Sequence, residues 1–359
     1  MLTFESYSSI GDLPPTATSL LDRAERGSIQ LGASWYALLQ ESVLAVSGER
    51  AVIHVVLRDC VPLMVLPLVL DPSMRRGEVR SFGNFYTAIY LPAIAGEATD
   101  DDIEALLRYV RRFHRGACRL RLAPMDPQSS SYERLKRCLT RAGFKVFPYF
   151  CFGNWYLRPA KGWNDYLASR PSKRRGELRR MAAKLLHDGG VIEIFTPQKL
   201  TPDALKAFEV VYGASWKKPE PFPHFVPGLV ALAANRDWLR LGVIRLGDVP
   251  IASQIWLVSH GRADIYKVAY DERYKQYSPG TILTGAMLEH VIDVDHVTEV
   301  DYLIGDDAYK RNWMDARRER WGIVAYDAAS LIGFLGFLRE IGGRWLRALS
   351  RSRPRKVVN

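Results

Sequence analysis

Apolar residues recur along the chain in two alternating rhythms. From Gly32 to Val46 (GASWYALLQESVLAV) they fall at helical steps. Ala51–Leu57 and Val61–Leu70 are β-branched and leucine-rich runs, and Arg58-Asp59 between them marks a hairpin turn. A further strand pair is expected around SFGNFYTAIYLP, residues 81–92. Asp100–His114 reads as an amphipathic helix, acidic at its start and basic at its end as the helix dipole favours. Strand Leu120–Leu122, helix Tyr132–Ala142 closed by Gly143, and strand Phe144–Phe147 follow. The rhythm then repeats, with strand Trp155–Leu157, a basic helix from Arg170, strand Val191–Phe195 and helix Pro202–Tyr212. After the proline-rich loop KKPEPFPHFVP (217–227) come helix Gly228–Asn235 and strands Leu239–Leu246 and Ile251–Ser259, joined by the hairpin signal Gly247-Asp248. Strand Ala263–Tyr270, helix Thr281–Ile292, strand Glu299–Ile304, a short helix through Tyr309-Lys310 and strand Trp321–Tyr326 complete the series. Both halves therefore read as α/β units, mixed sheets covered by helices in similar order. The expected divisions are 1–155, 156–326 and a tail, 327–359.

Composition fits that picture. With 359 residues, 48% apolar and 25% charged, the chain has room for two globular domains, which excludes global disorder and fibrous repeats. Cys60, Cys118, Cys138 and Cys151 lie far apart without CxxC or Cys/His pairing. Buried, reduced thiols are expected, with neither a disulfide framework nor a metal site. The start, MLTFESYSSIGDLPP, lacks the basic residues and apolar run of a secretory signal. The longest apolar run, Val61–Leu70, is far short of the roughly 20 residues that span a bilayer. A cytoplasmic protein is expected.

The net charge of +11 favours an anionic partner, and two segments carry most of the excess. Arg170–Lys184 (RPSKRRGELRRMAAK) holds seven basic residues against one acidic, which suits either a solvated helix face or a phosphate-binding surface. In the tail, Leu331, Phe334, Leu335, Leu338, Ile341, Trp345 and Leu349 form one apolar stripe beside Arg339, Arg344, Arg347, Arg351, Arg353, Arg355 and Lys356. A basic amphipathic helix of this kind suits the inner face of an anionic membrane, the other reading being a terminal helix packed on its own domain. No helix-turn-helix, zinc-finger or RNA-binding pattern is present, so nucleic acid is not an expected partner.

Candidate chemistry concentrates between residues 263 and 313. A strand runs into the polar loop DERYKQYSPG, which opens directly into a long apolar-striped helix. Ser278 is placed to cap that helix, Pro279 suits its first turn, and Gly280 leaves the backbone open to close approach. A helix start of this kind attracts anions, and Lys267, Arg273 and Lys275 add positive charge. Asp301, in an apolar strand, either accepts structural hydrogen bonds or acts as a base; Asp306 and Asp307 are alternative bases. Lys310 is a candidate for steadying an oxyanion or a phosphate. His224, in the aromatic loop, is a candidate base over the acceptor.

The stretches IASQIWLV, YDERYKQYSPGTIL and VDYLIGDDAYKRNW, together with GASWYALL, VPLMVLPLVL and VRSFGNFYTAIYLP, resemble the bacterial acyltransferases named after the cellulose-biosynthesis protein CelD. These belong to the Gcn5-related N-acetyltransferase (GNAT) superfamily and are similar to the double-domain Fem peptidyltransferases. The resemblance spans about residues 30–326. It implies two tandem acyltransferase folds, the second keeping the thioester site. It also implies that strand residues Val268, Ala269 and Tyr270 present N–H groups to the donor, that Tyr277, Ser278, Pro279, Gly280 and Lys275 hold its phosphates, and that Tyr309 protonates the departing thiolate. The superfamily's glycine-rich Q/R-x-x-G-x-G/A run is represented only by Tyr277-Ser278-Pro279-Gly280. The donor, a co-substrate rather than a resident cofactor, is thus acyl-CoA or an acyl carrier protein. The tail points to a long-chain, sphingoid-type lipid amine as acceptor, as in bacterial ceramide synthesis; an envelope amino sugar is the alternative. A non-catalytic scaffold with the same double fold is the reading from a different class.

Overall fold

A computed structural model describes residues 1–70, 77–159 and 161–351, with side chains through Trp345. The chain forms two compact units, Met1–Cys151 with the segment from Arg320 onward, and Phe152–Glu319. These limits fall inside two strands, so each unit is completed by a strand from the other half of the sequence. The sequence-based division at 155/156 lies within the first of those strands, Lys145–Leu157, and the one at 326/327 directly follows the second, Ala316–Tyr326.

In the first unit β1 (Leu2–Tyr7), β2 (Arg50–Arg58), β3 (Val61–Leu70) and β4 (Glu78–Ser81) form an antiparallel meander, with the short β5 (Ala93–Ile94) paired to β3. Asp59 and Cys60 turn the β2–β3 hairpin with φ of 50° and 68°, which leaves Cys60 exposed rather than buried. β6 (Arg119–Met125) pairs with β4 in parallel, and the strand Ala316–Tyr326 closes the sheet against β6. Helices α1 (Pro15–Glu25), α2 (Ala33–Leu39), α3 (Ala45–Ser47), α4 (Asp100–Phe113) and α5 (Ser130–Arg141) belong to this unit, and Leu106, Leu107, Leu135 and Leu139 seat α4 and α5 in its core. The sequence reading missed β1 and α1. The strand pair expected at 81–92 is mostly irregular: beyond β4 its backbone is held by bonds such as Ala88 N–H to Gln30 Oε1 at 2.6 Å instead of by a ladder.

In the second unit β7 (Lys145–Leu157, from residue 152), the helices α6 (Trp163–Ser169) and α7 (Ser172–His187), β8 (Gly190–Phe195), α8 (Pro202–Gly213), α9 (Phe225–Asn235), β9 (Leu239–Leu246), β10 (Val249–Ser259), β11 (Arg262–Tyr270), α10 (Pro279–Asp293) and β12 (Glu299–Asp301) repeat the plan. The strands β8-β9-β10-β11 form a meander, β11 pairs with β12 in parallel, and β7 pairs antiparallel with β12. This is the tandem mixed α/β arrangement expected from the element order. α10 lies in the core through Ile282, Leu283, Met287 and Leu288. Gly242 lets β9 pass beneath α10, since a Cβ there would stand 2.7 Å from the Met287 sulfur. The basic helix α7 buries only Leu185 fully, and most of its arginines are partly or fully exposed.

One ion network governs the middle of this second sheet. Arg262 bonds Asp264 at 2.7 Å, Glu299 at 3.2 Å and Asp301 at 2.6 Å. Arg318 bonds the same Glu299 at 2.7 Å and also Asp301, and its Nε donates to Asn154 Oδ1 at 2.6 Å. Asp301 Oδ1 accepts the Leu303 N–H at 2.6 Å, and Leu303 stands at φ 53°. The carboxylate thus ends the strand that the sequence extends to Ile304: after Asp301 the chain turns away from β11.

The strand from Ala316, β13, leads into α11 (Leu331–Arg351). Gly333 and Gly336 let α11 close on its unit, because a Cβ at either would strike the Asp327 carbonyl or the Tyr326 ring. Arg344 adds a bond to the Pro148 carbonyl at 2.8 Å. The tail is therefore packed on its own domain by the glycine side, while the apolar stripe faces outward: Leu331 is 74%, Leu335 57% and Trp345 64% exposed. The side chains of Arg347, Leu349 and Arg351, and all of Arg353, Arg355 and Lys356, lie outside the described residues. Among those described, no helix is long and apolar enough to cross a membrane.

Replacing Arg262 by Leu leaves Asp264 buried without its ion-pair partner and Asp301 with Arg318 alone. A loss of about 3–5 kcal/mol is expected in urea unfolding of the full chain. A loss near that of an exposed pair, under about 1 kcal/mol, would show that the network does not hold the sheet.

Candidate active site

The parallel register of β11 with β12 covers only Arg262–Asp264 opposite Glu299–Asp301. Beyond Asp264 the edge of β11 that faced β12 has no strand partner among the described residues, and a cavity of ≈ 370 Å³ opens there. Val268 and Tyr270 of β11, Ser278–Thr281 at the start of α10, and Tyr302, Tyr309 and Trp313 after β12 line it. Trp216, Lys217 and Lys275 complete its wall. The volume lies within the range of small-molecule sites, and a strand edge with unpaired backbone groups suits an extended amide-bearing ligand.

The start of α10 is shaped for negative charge. Ser278 sits in the left-handed region (φ 52°) and, contrary to expectation, its side chain makes no cap bond. Its carbonyl accepts from Thr281 and Ile282 at 2.9 and 3.1 Å, and the Gly280 N–H, in the first turn, has no intrahelical partner. No acidic residue stands in the first turn. A buried amide underpins this turn: Gln254 Nε2 donates to Thr284 Oγ1 at 2.9 Å and to the Gly280 carbonyl at 3.2 Å, while Trp256 fixes Gln254 Oε1 at 2.8 Å. The matching helix of the first unit is built the opposite way. α4 begins with a Thr99–Asp102 capping box, and Asp100, Asp101 and Asp102 fill its first turn. There the Thr99 hydroxyl accepts the Asp102 N–H and the Asp102 carboxylate accepts the Thr99 N–H at 2.7 Å, so the start of α4 is closed by its own side chains and the anion-receptive helix start belongs to the second unit.

Of the titratable groups that line the cavity, Tyr309 and Lys217 bear most directly on proton transfer. Tyr309 is 49% exposed as a residue, yet burial of its hydroxyl, helped by Asp307, pushes its pKa up to about 12. It stands edge-on to buried Tyr302, with ring centroids 5.7 Å apart, and stays protonated throughout the neutral range. Lys217 was singled out in the sequence only as part of the proline-rich loop. Burial, together with the charge of Lys267, lowers its pKa to about 8, against an opposing pull from Glu220. A lysine there exchanges protons near neutral pH. The only sequence signal for it was a paired lysine within an aromatic and proline-rich loop.

The remaining candidates divide. Val268, Tyr270, Ser278, Pro279, Gly280, Lys275 and Tyr309 meet at the cavity. Ala269 is fully buried and does not line it. The Tyr277 hydroxyl turns away to Asp188 at 2.9 Å under the Lys184 ammonium. Lys267 and Arg273 spend their charge on Glu220 and Asp271. Asp301 is enclosed by its two arginines, as its structural alternative requires. Lys310 Nζ is buried against the Tyr302, Ile304 and Gly305 carbonyls and steadies the loop after β12. His224 is exposed at the start of α9 and absent from the lining. Asp306 is engaged by Arg317 at 2.7 Å and the Trp155 indole at 2.7 Å, and Asp307 lies 3.5 Å from Lys310. Among the described residues no group of side chains is arranged to hold a metal ion.

Residues 172–311, within this unit, match the family model described as an acetyltransferase (GNAT) domain. Among solved structures, FemX is similar over 89% of this chain and 96% of its own, with 11% identity and a TM-score of 0.60. A conserved protein of unknown function from Bacteroides thetaiotaomicron is similar over 90% of this chain and 99% of its own, with 10% identity and a TM-score of 0.55. A tandem GNAT protein from the clavulanic acid biosynthesis pathway has 13% identity and a TM-score of 0.49 over 90% of this chain and 98% of its own. No curated protein sequence matches the chain. The second unit thus carries an acetyltransferase (GNAT) domain, which makes the protein an acyltransferase enzyme, and domains of this type take acyl-CoA as co-substrate.

The Lys217 pKa has a measurable consequence for stability. Between about pH 8 and the ordinary lysine value the unfolded chain binds more protons at this position than the folded one, so stability rises with pH across that window. Lys217→Met should flatten the rise in unfolding free energy between pH 8 and 10 measured by urea titration. An unaltered slope would mean that Lys217 titrates as an ordinary surface lysine.

Proposed function

We propose that the second unit moves an acyl group from acyl-CoA to a primary amine, and that the acceptor is a long-chain, sphingoid-type lipid amine taken from the inner membrane surface. On this reading the enzyme belongs with the CelD-like branch of its superfamily and acts as a bacterial ceramide synthase does. The observation that carries the transferase chemistry is the joining, in one cavity, of an unpartnered β11 edge, an uncapped α10 start and Tyr309. The edge of β11 supplies N–H groups to the extended arm of the donor, and the α10 start with Lys275 supplies positive potential for its phosphates. Lys217, deprotonated above about pH 8, takes the proton that the acceptor ammonium must lose. The amine nitrogen then attacks the thioester carbonyl: the C–N bond forms, the C–S bond breaks, the thiolate takes the Tyr309 proton, and the proton that the attacking nitrogen sheds returns to the Tyr309 oxygen.

Two separate features support a lipid acceptor. Trp216, Tyr270 and Trp313 give the cavity an aromatic wall suited to an alkyl chain. The outward apolar stripe of α11, followed by a basic sequence, suits peripheral attachment to an anionic bilayer.

Thiol release from long-chain acyl-CoA should require an added sphingoid amine. Faster release from acetyl-CoA with a sugar amine would overturn the lipid reading while leaving the transferase one intact. Tyr309→Phe should lower kcat by roughly 100-fold with little change in donor KM; an unchanged kcat would remove Tyr309 from the chemistry. Leu331→Glu with Leu335→Glu should release the enzyme from vesicles containing phosphatidylglycerol, and undiminished co-sedimentation would contradict attachment through α11.

A further inference from the structure

The first unit holds a cavity of its own, ≈ 690 Å³, which the acyl-transfer chemistry does not use. Five arginines line it: Arg108, Arg111, Arg112 and Arg115 from the end of α4 and the turn after it, and Arg141 from the end of α5. Asp327 and Ser330, just before α11, form its opposite wall.

The helix dipole explains only part of this charge. It favours cations in the last turns of α4 and α5, which covers Arg111, Arg112 and Arg141, but Arg108 stands further inside α4 and Arg115 lies beyond the helix end. Ion pairing explains another part. Arg108 bonds Glu104 at 2.6 Å, Arg141 bonds Asp101 at 2.6 Å and Glu104 at 2.7 Å, and Arg111 bonds Asp327 at 2.6 Å. Arg111 is further held by the Ala142 carbonyl at 3.1 Å, and Gly143 gives it room, since a Cβ there would stand 2.3 Å from its Nη1. Arg112 and Arg115 have no acidic partner among the described residues, and both are exposed at the cavity. Two uncompensated guanidinium forks, beside three that are already oriented, make a receptor for an oxyanion with several acceptor oxygens.

We propose that this cavity binds a phosphate-bearing anion, with Arg112 and Arg115 as the ligating forks. The adjoining sequence favours a lipid headgroup as the source, because Ser330 of the wall is followed at once by exposed Leu331 and the outward apolar stripe of α11. A headgroup phosphate in the cavity and acyl chains beside that stripe would then belong to one surface lipid. The site consists of first-unit residues alone and does not depend on the acyl-transfer reading.

The test uses the full chain and three forms at the cavity: wild type, Arg112→Ala/Arg115→Ala and Arg112→Lys/Arg115→Lys. Each is titrated calorimetrically with inorganic pyrophosphate and sedimented with phosphatidylcholine vesicles with and without phosphatidic acid. Wild type should bind the phosphatidic acid vesicles, with affinity reduced roughly tenfold per arginine removed. The lysine form should recover only part of that loss, because an ammonium lacks the fork. If pyrophosphate shows the same loss and the vesicles do not, the phosphate site stands and its source is soluble. Equal binding of both probes by wild type and the alanine form overturns the proposal, and so does full recovery by lysine, which would reduce the effect to surface charge. Retained vesicle binding by the alanine form together with its loss in Leu331→Glu/Leu335→Glu overturns the headgroup site while sparing attachment through α11.

Discussion

The central constraint on the catalytic unit is that β11 and β12 are held together over three residues and no further. Arg262 and Arg318, clamped on Glu299, Asp264 and Asp301, lock the paired end, and the same Asp301 carboxylate turns the chain at Leu303. A longer ladder would seal the cavity. Without the network, the short pairing would have little to hold it, because three residues of parallel strand form few hydrogen bonds. Buried charge is costly, and here it fixes where a sheet stops being a sheet.

The two units show how one plan serves two ends. Both place a helix between the strands of a short parallel pair, α4 between β4 and β6 and α10 between β11 and β12. Acidic residues and a capping box close the start of α4, whereas Ser278-Pro279-Gly280 leaves the start of α10 receptive. α4 carries its functional charge at the other end, where arginines gather around a cavity. The difference between the two helix starts lies in a few residues.

Much of this was legible in the sequence. The periodicity gave most helices and strands and the doubled element order, while the family resemblance singled out Tyr309 and the stretch Tyr277–Gly280. β1 and α1 were missed because LTFESY alternates weakly and the helix after it opens at Pro15 without a polar cap residue. The strand through Ile304 was drawn too long because Tyr302-Leu303-Ile304 is apolar, and nothing local reveals that Asp301 captures the Leu303 N–H. The Lys310 ammonium is spent on carbonyls of the loop just before it. Asp301 carries the right chemistry by residue type, but its contacts depend on Arg262 and Arg318, which lie far away in sequence. Lys217 escaped notice for the same reason, since its lowered pKa arises from burial and from Lys267, fifty residues on.

The account rests on the start of α10 as the seat of the donor's negative charge. Its most direct test is calorimetric titration of a non-hydrolysable long-chain acyl-CoA analogue into wild type and Thr281→Asp, a change that gives α10 the acidic first turn of α4. An aspartate there favours the helix, so the fold is retained. Binding to wild type with a loss of at least roughly tenfold in the variant is the predicted result. Equal affinity for the two forms, or none for wild type, would contradict it.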